Sequence, residues 1–293
     1  MSTLLQRTLS GAVYVAVIVG TILAPQSFYF VFIACLMAVL GIREFMHMTG
    51  KDTWLTWMSG VTSTCLIVWM WIASYYSVEA LKQTEDFDST EWLLLGCFII
   101  LIVVLMMLLF VALIGELFRG GTDPVKNWGR YLQSIVMIGL PFGCMAAMSA
   151  ARPMYLLALF ISIWVNDTGA YIVGMATSHL PGGNHKMFVR VSPKKSWEGL
   201  IGGVLFNLVA GYVFYRAGWI SPLWHSLVFV MTASVFGTLG DLVESLLKRS
   251  VGVKDSGRFM PGHGGVLDRF DSMLLAAPCV GLIMMIVRII EHL

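Results

Sequence analysis

Acidic residues recur at helical spacing near the C-terminus of this 293-residue chain. Asp241, Glu244 and Lys248 follow one another at i, i+3 and i+7, which places their side chains on one face if the segment is helical. Asp268 and Asp271 are three residues apart and are predicted to open the last apolar segment on one face. Carboxylate oxygens suit Mg²⁺, which binds through one or two carboxylates together with substrate phosphates. The spacing therefore predicts a site for a metal-bound nucleotide.

The segment between the two acid pairs is basic and rich in glycine. Glycine lets backbone approach a ligand closely, and successive N–H groups in such a loop can form an anion nest. With basic side chains nearby, this composition is typical of phosphate binding. An acid at a helix start can also simply cap that helix, so capping is the alternative role for Asp268 and Asp271. The residues concerned are Lys248, Arg249, Lys254, Arg258 and His263, with Gly257, Gly262, Gly264 and Gly265.

Two further polar segments adjoin apolar stretches. Residues 192–199, SPKKSWEG, bring Lys194 and Lys195 to the start of an apolar segment. Basic residues at such a point are often only topology determinants or lipid-headgroup contacts. Asn166 and Asp167 lie near the end of another apolar segment, and an ionisable residue inside a membrane span indicates function by default. The alternative for Asp167 is a salt bridge that only fixes helix packing.

The elements that must position these residues are membrane helices. The chain is 58% hydrophobic and 12% charged, whereas soluble proteins are about 25% charged. Because a spanning helix needs about 20 mostly apolar residues, we predict an all-α, polytopic membrane protein with about nine transmembrane helices. Residues 1–150 are predicted to hold spans one to five, and residues 151–293 to form a catalytic region with spans six to nine and its motif loops. The predicted spans lie near residues 10–24, 27–42, 54–74, 92–115, 131–150, 153–174, 197–216, 223–240 and 273–290.

The distribution of basic residues predicts the orientation. With the N-terminus inside, 15 of the 19 Lys and Arg residues fall on the cytoplasmic side, and only Lys82, Arg152, Arg216 and Arg288 fall outside. The positive-inside rule therefore predicts an N-in, C-out protein. An odd number of spans agrees with this result. The polar site then faces the cytosol, and for a bacterial protein the membrane would be the inner, or cell, membrane.

Three ordered motifs resemble one known family. The run from Ser245 to Asp271 reads SxxKRxxxxKDxGxxxPxHGGxxDRxD, residues 192–199 read SPKKSWEG, and residues 166–171 read NDTGAY. Together they resemble the phosphatidate cytidylyltransferases, or CDP-diacylglycerol synthases. Ser196 stands where that family commonly has Thr, and Met260 where it usually has Leu, Ile or Phe. The resemblance covers residues 166–271, while the first 150 residues match only in hydrophobicity and span count.

The resemblance implies transfer of a cytidylyl group from CTP to phosphatidic acid, with Mg²⁺ as cofactor. Asp241 and Asp268 would be primary Mg²⁺ ligands, with Glu244 and Asp271 as further ligands and Asp167 nearby. The implied partners are CTP, phosphatidic acid and membrane lipids, with a homodimer as a further possibility and no nucleic acid. The catalytic residues would be Asp241, Asp268, Asp271, Lys195 and Lys248. Substrate contacts would come from Asn166, Asp167, Ser192, Lys194, Lys195, Ser196, Glu198, Lys248, Arg249, Lys254, Asp255, His263, Gly264, Gly265 and Arg269.

Other functions remain open from the sequence. A paralogue on the same scaffold could use CTP as a lipid-alcohol kinase or accept another lipid phosphate. A transporter is a more remote alternative, because transporter sites lie near the membrane midplane and show repeat symmetry. Here the charged residues cluster at predicted cytoplasmic ends. A non-catalytic scaffold would need no site for a divalent ion and a nucleotide.

Overall fold

The computed structural model describes residues 3–50, 52–82, 87–119, 123–179, 183–257, 259 and 264–292. Nearly all of these residues are helical, which confirms the predicted all-α class. The helices are α1 Thr3–Leu23, α2 Phe28–Thr49, α3 Thr53–Lys82, α4 Phe87–Arg119, α5 Pro124–Ser134, α6 Leu140–Ala151, α7 Pro153–Thr177, α8 Trp197–Arg216, α9 Leu223–Ser250, α10 Leu267–Phe270 and α11 Met273–His292. A π-helical turn, Ile135–Gly139, joins α5 to α6.

Eight segments within the described residues are long and apolar enough to cross a membrane. They correspond to the second through ninth predicted spans, so the polytopic membrane class is confirmed. The first predicted span falls in α1, whose apolar described part, Thr8–Leu23, is shorter than 18 residues. Whether it crosses the membrane, and the N-in, C-out orientation, stay predictions. The eight segments are Phe28–Thr49, Thr53–Val78, Ile102–Arg119, Pro124–Ala151, Pro153–Thr177, Trp197–Arg216, Leu223–Ser250 and Leu267–Val287.

The chain separates into two compact units. The first comprises residues 1–153 and 256–267, and the second comprises residues 154–255 and 268–293. In the first unit α3 packs against α2 and α6, burying Phe30, Ile42, Leu55 and Phe142. Asp123 caps α5 by accepting a hydrogen bond from the Lys126 N–H at 3.2 Å, which lowers the pKa of that carboxyl below its ordinary value.

The second unit carries most of the residues predicted to be functional. Helix α9 packs against α8 and α11. The core of the second unit includes two aromatic pairs that meet edge to face. Phe160 contacts Phe270, and Phe229 contacts Tyr155. Edge-to-face contacts of this kind stabilise the core beyond the burial of apolar area. Helix α9 continues ten residues beyond the predicted end of its span, to Ser250, so the acidic segment is helical as predicted.

Two short strands precede α8. Strands β1 (Lys186–Phe188) and β2 (Ser192–Ser196) pair antiparallel, with Lys186 opposite Ser196 and Phe188 opposite Ser192. The segment SPKKS thus forms an extended edge of a hairpin before the chain enters α8. This hairpin was not predicted, since SPKKS lacks the β-branched and aromatic residues that favour strands.

The predicted helical start at Asp268 and Asp271 is wrong in one respect. Asp268 lies in the four-residue helix α10, and Asp271 lies in the turn before α11. The two acids therefore do not share the face of one continuous helix. Gly240 of α9 lies against this turn, because a Cβ at that position would be 2.7 Å from the Asp271 carbonyl oxygen. Only glycine allows the backbone of α9 to approach the turn so closely.

Candidate active site

Lys195 and Asp241 form the first contact of the candidate site, in the second unit. The Lys195 Nζ atom lies 2.6 Å from Asp241 Oδ2 and donates a hydrogen bond to the Thr238 carbonyl at 3.2 Å. The other Asp241 oxygen, Oδ1, accepts a hydrogen bond from Ser245 Oγ at 3.2 Å. The end of β2 is thereby tied to one face of α9. Both side chains remain partly accessible, at 25% and 30%.

Lys248 forms the second contact by joining two acids. Its Nζ atom lies 2.5 Å from Glu244 Oε2, one helical turn earlier, and donates a hydrogen bond to Asp268 Oδ1 at 2.7 Å. Neither Glu244 oxygen takes part in a hydrogen bond of good geometry within the described residues, so the contact with Lys248 is an ion pair. The Glu244 side chain is 1% exposed. Lys248 thus holds α10 against α9 inside a buried, charged cluster.

Asp167 and Asp271 complete this acidic cluster. Asp167 is close enough to interact electrostatically with Lys195 and Asp241. Asp271 interacts in the same way with Asp241, Glu244 and Asp167. Five carboxylates therefore surround two lysine ammonium groups. Because buried charge is costly unless it is paired, this excess of acids favours the binding of a further cation.

The chemistry of the cluster fits a hard divalent cation. Its donors are carboxylate oxygens, and Glu244 Oε1 is buried without a partner among the described residues. Within the same residues, no group of three or more His, Cys, Asp or Glu side chains already converges on one metal position. The predicted primary ligands, Asp241 and Asp268, are instead paired with Lys195 and Lys248. The assignment of Asp241, Glu244, Asp268 and Asp271 as metal ligands stays a prediction.

A cavity of about 430 Å³ opens next to the cluster. This volume lies in the range of small-molecule sites, roughly 300–1,000 Å³. Asn166, Asp167 and Thr238 line its wall on the side of α7 and α9, and Lys194 and Lys195 line it from β2. Two lysines of β2 and one carboxylate of α7 thus line a single space of ligand size. This arrangement can hold an anion beside carboxylates that attract a cation.

Two predicted substrate residues have structural partners. Ser196 is the N-cap of α8 and accepts a hydrogen bond from the Gly199 N–H at 3.1 Å, while also lining the cavity. Glu198 binds His185, accepting from its backbone N–H at 3.1 Å and lying 2.6 Å from its Nδ1. The contact between Glu198 and His185 was not predicted: Glu198 was expected to contact substrate, and the pairing of residues 13 positions apart depends on how the hairpin folds back on α8. It holds the chain before β1 against the first turn of α8.

The structure also locates the other predicted substrate residues. Arg249 donates a hydrogen bond to the Val253 carbonyl at 3.0 Å and is exposed, as are Lys254 and Asp255. Ser192 and Arg269 are half-buried. His263 lies outside the described residues. Ten of the predicted residues belong to the acidic cluster or line the adjoining cavity. They are Asn166, Asp167, Lys194, Lys195, Ser196, Asp241, Glu244, Lys248, Asp268 and Asp271.

In the first unit, the glycine-rich segment is organised by Glu44 of α2. The Glu44 carboxylate accepts hydrogen bonds from Ser256 Oγ at 2.9 Å, from the Val266 N–H at 2.9 Å and from the Leu267 N–H at 3.1 Å. A Cβ at Gly265 would overlap with this carboxylate. Gly265 thus lets the loop close over Glu44.

This contact revises the predicted anion nest. The N–H groups of Val266 and Leu267 are occupied by Glu44, a carboxylate of the protein itself. They therefore do not point at a nucleotide in this structure. Gly264 has a φ of 85°, a conformation that favours glycine. Glu44 is not among the predicted site residues, because its only sequence signal is an acid at the end of an apolar segment.

Comparisons with known proteins match this chain to the family that its three sequence motifs resemble. A model of the cytidylyltransferase family matches residues 5–287. Phosphatidate cytidylyltransferases of Staphylococcus haemolyticus and Staphylococcus saprophyticus are each 40% identical over 154 residues, or 52% of this chain and 57% of the relative. One of Staphylococcus aureus is 39% identical over the same shares. The chain thus matches a little over half the length of these relatives.

Proposed function

Because this chain belongs to the cytidylyltransferase family, we propose that it transfers the cytidylyl group of CTP to phosphatidic acid. The products are CDP-diacylglycerol, for phospholipid synthesis, and pyrophosphate. The match to the family model agrees with the resemblance of the three sequence motifs to the phosphatidate cytidylyltransferases. The names of the staphylococcal relatives supply the lipid substrate. One observation carries the proposal furthest: Lys195, which pairs with Asp241 of the acidic cluster, lines a cavity of about 430 Å³ among membrane-length helices.

The reaction needs no protein nucleophile. An oxygen of the phosphatidic acid phosphate attacks the α-phosphorus of CTP, forming the new P–O–P bond. The bond between the α-phosphorus and the oxygen that bridges to the β-phosphate breaks, and its electron pair leaves with pyrophosphate. Catalysis then depends on positioning and on neutralising negative charge. A lipid phosphate and a nucleotide triphosphate repel each other, so basic groups must hold both.

The residues of the cluster divide this work. Lys194 and Lys195, on the cavity wall, bind phosphate oxygens of the substrates. Lys248 holds Glu244 of α9 and Asp268 of α10 together. Asn166 offers an amide group at the cavity wall. Asp241, Asp268, Glu244 and Asp271 would hold Mg²⁺, which supplies charge neutralisation at the triphosphate when bound. Excess acid in the cluster supports this choice of ligands.

The helices support a location for the reaction at a membrane. The protein is an integral, multi-pass membrane protein, so a lipid substrate reaches it from the bilayer. We place the site at the cytoplasmic face of a bacterial inner membrane, which is supported by the 15 basic residues on that side of the predicted topology. CTP would enter from the cytosol. The possible homodimer and the absence of a nucleic-acid partner stay predictions.

The test uses purified full-length protein with phosphatidic acid, Mg²⁺ and CTP labelled at either the α- or the γ-phosphorus. We expect α-label in a CDP-lipid and γ-label only in pyrophosphate. Diacylglycerol, which lacks the attacking phosphate, is the matched control and should give no labelled lipid. Transfer of γ-label to lipid would instead show a kinase and contradict the proposal.

A further inference from the structure

A cavity in the first unit lies between α2 and α3, and none of its lining residues belongs to the candidate active site. Its volume is about 820 Å³, which is in the range of ligand sites. Val39, Arg43 and His47 line it from α2 at intervals of four residues, so they share one helix face. Trp57 and Val61, also four apart, line it from α3. Two helix faces thus form one groove.

The groove is polar at one end and apolar along its length. Arg43, His47 and Asp52 lie at the end where α2 meets α3, and Val39, Trp57 and Val61 lie further into the spans. Trp57 is 74% exposed, as expected of an aromatic side chain at a membrane interface. This gradient matches that of a phospholipid, in which a charged headgroup continues into acyl chains.

The charges at the polar end favour an anion. Within the part of the chain that the structure describes, neither Arg43 nor His47 forms a hydrogen bond or ion pair, and both are exposed. Asp52 is the one acid of the lining, but its two oxygens lie 3.0 and 2.9 Å from Arg119 Nη2. Arg119 thus pairs with Asp52, and it also donates a hydrogen bond to Glu116 Oε1 at 2.8 Å, so both acids are bound to Arg119 and not to Arg43. An arginine without a partner at the end of an apolar groove is suited to bind a phosphate.

We propose that this groove binds a membrane phospholipid with an anionic headgroup, whose phosphate contacts Arg43 and His47 and whose acyl chain lies along Val39, Trp57 and Val61. Gly60 forms the floor, where a Cβ would only reach ordinary contact distance from Val39, at 3.9 Å. A larger side chain at this position would therefore fill the groove. The site is independent of the proposed transfer reaction.

The test is native mass spectrometry of the full-length protein, titrated with phosphatidylglycerol or with phosphatidylcholine of the same acyl chains. Phosphatidylglycerol has no phosphomonoester, so its binding is separate from use of phosphatidic acid as a substrate. We expect phosphatidylglycerol to bind more tightly than phosphatidylcholine. Arg43→Gln should weaken phosphatidylglycerol binding about tenfold, the effect of losing one charged hydrogen bond. Gly60→Leu should weaken binding of both lipids.

The matched control is Arg216→Gln, which removes an exposed arginine at the end of α8 and should leave binding unchanged. Equal affinity for the two lipids, or equal binding by wild type and Arg43→Gln, would overturn the proposal. So would disulfide-linked dimers of Trp57→Cys that form at every lipid concentration, since a second copy would then cover the groove. If Gly60→Leu does not fold, the exposed Arg43→Gln variant still decides the matter.

Discussion

The Lys195 ammonium lies 2.6 Å from the Asp241 carboxylate, which joins the hairpin before α8 to the acidic face of α9. Lys195 also lines the cavity, whereas Asp241 lies in the acidic cluster. The pair therefore stands at the boundary between a space for substrate and a set of candidate metal ligands. A phosphate in the cavity would compete with Asp241 for Lys195 and free the carboxylate for a cation. This relationship motivates the first prediction.

Lys195→Met should reduce CDP-lipid formation roughly 100-fold or more, because removing one preorganised charge from a site of this kind has effects of that size. The measurement is turnover of the purified variant, with correct folding checked by its unfolding temperature. Lys126→Met is the control, since Lys126 is exposed and its ion pair, with Asp123 at 3.3 Å, is also exposed. Near-normal turnover by a folded Lys195→Met protein would show that Lys195 does not bind substrate and acts only as a topology determinant.

Lys248→Met should destabilise the protein by about 3–5 kcal/mol, because removing one partner leaves buried charges uncompensated. The charges in question are those of Glu244 and Asp268, whose side chains are 1% and 8% exposed. The free energy of unfolding in mixed micelles measures the effect. Adding Glu244→Gln to Lys248→Met should restore part of the loss. A loss below about 1 kcal/mol, typical of a surface pair, would show that the cluster is solvated.

Part of this site could be predicted from the sequence. The positions Asp241, Glu244 and Lys248 fall on one face because helical periodicity is local, and α9 indeed continues through them. The pairing of Lys195 with Asp241 could not be derived, since it depends on how two distant segments pack. The break between α10 and α11 also depends on packing, where Gly240 meets the Asp271 carbonyl.

Glu44 shows a further limit of prediction from sequence. Its three partners, Ser256, Val266 and Leu267, are more than 200 residues away along the chain. Two of them contribute only backbone N–H groups, which carry no side-chain signal. The glycines were predicted to let the backbone approach a ligand, whereas the group that lies close to Gly265 here is a carboxylate of the protein. A pattern of glycine and bases thus predicts room for an anion without identifying it.

Glu44→Ala should loosen the glycine-rich segment. We expect faster amide hydrogen exchange at Val266 and Leu267, because their N–H groups lose the carboxylate that accepts them. Hydrogen-exchange mass spectrometry of the full chain measures this, with the peptides of α7 as the internal control. Glu44→Gln, which keeps one acceptor oxygen, should give a smaller change. Unchanged exchange in Glu44→Ala would mean that the contact contributes nothing to the order of the loop.

The predicted orientation can be checked at the two ends of α9. In a protein freed of its five native cysteines, Ser221→Cys should react with a membrane-impermeant thiol reagent added outside intact cells. Lys254→Cys should react only after the membrane is opened. Both positions are exposed and flank one spanning helix, so they are matched in accessibility. Labelling of Lys254→Cys from outside would place the acidic cluster on the wrong side for cytosolic CTP.

The central claim is that the acidic cluster is a divalent-cation site for cytidylyl transfer, rather than a set of helix caps and packing contacts. The most direct measurement is Mg²⁺-dependent CDP-lipid formation by Asp268→Asn, by Asp241→Asn and by the double variant. Asn caps a helix about as well as Asp but is a weaker ligand for a hard dication. We predict folded proteins with little activity at any Mg²⁺ concentration, and a double variant little worse than either single one, because residues that act as a unit are non-additive. Substantial Mg²⁺-dependent turnover by a folded Asp268→Asn protein would contradict the assigned metal role.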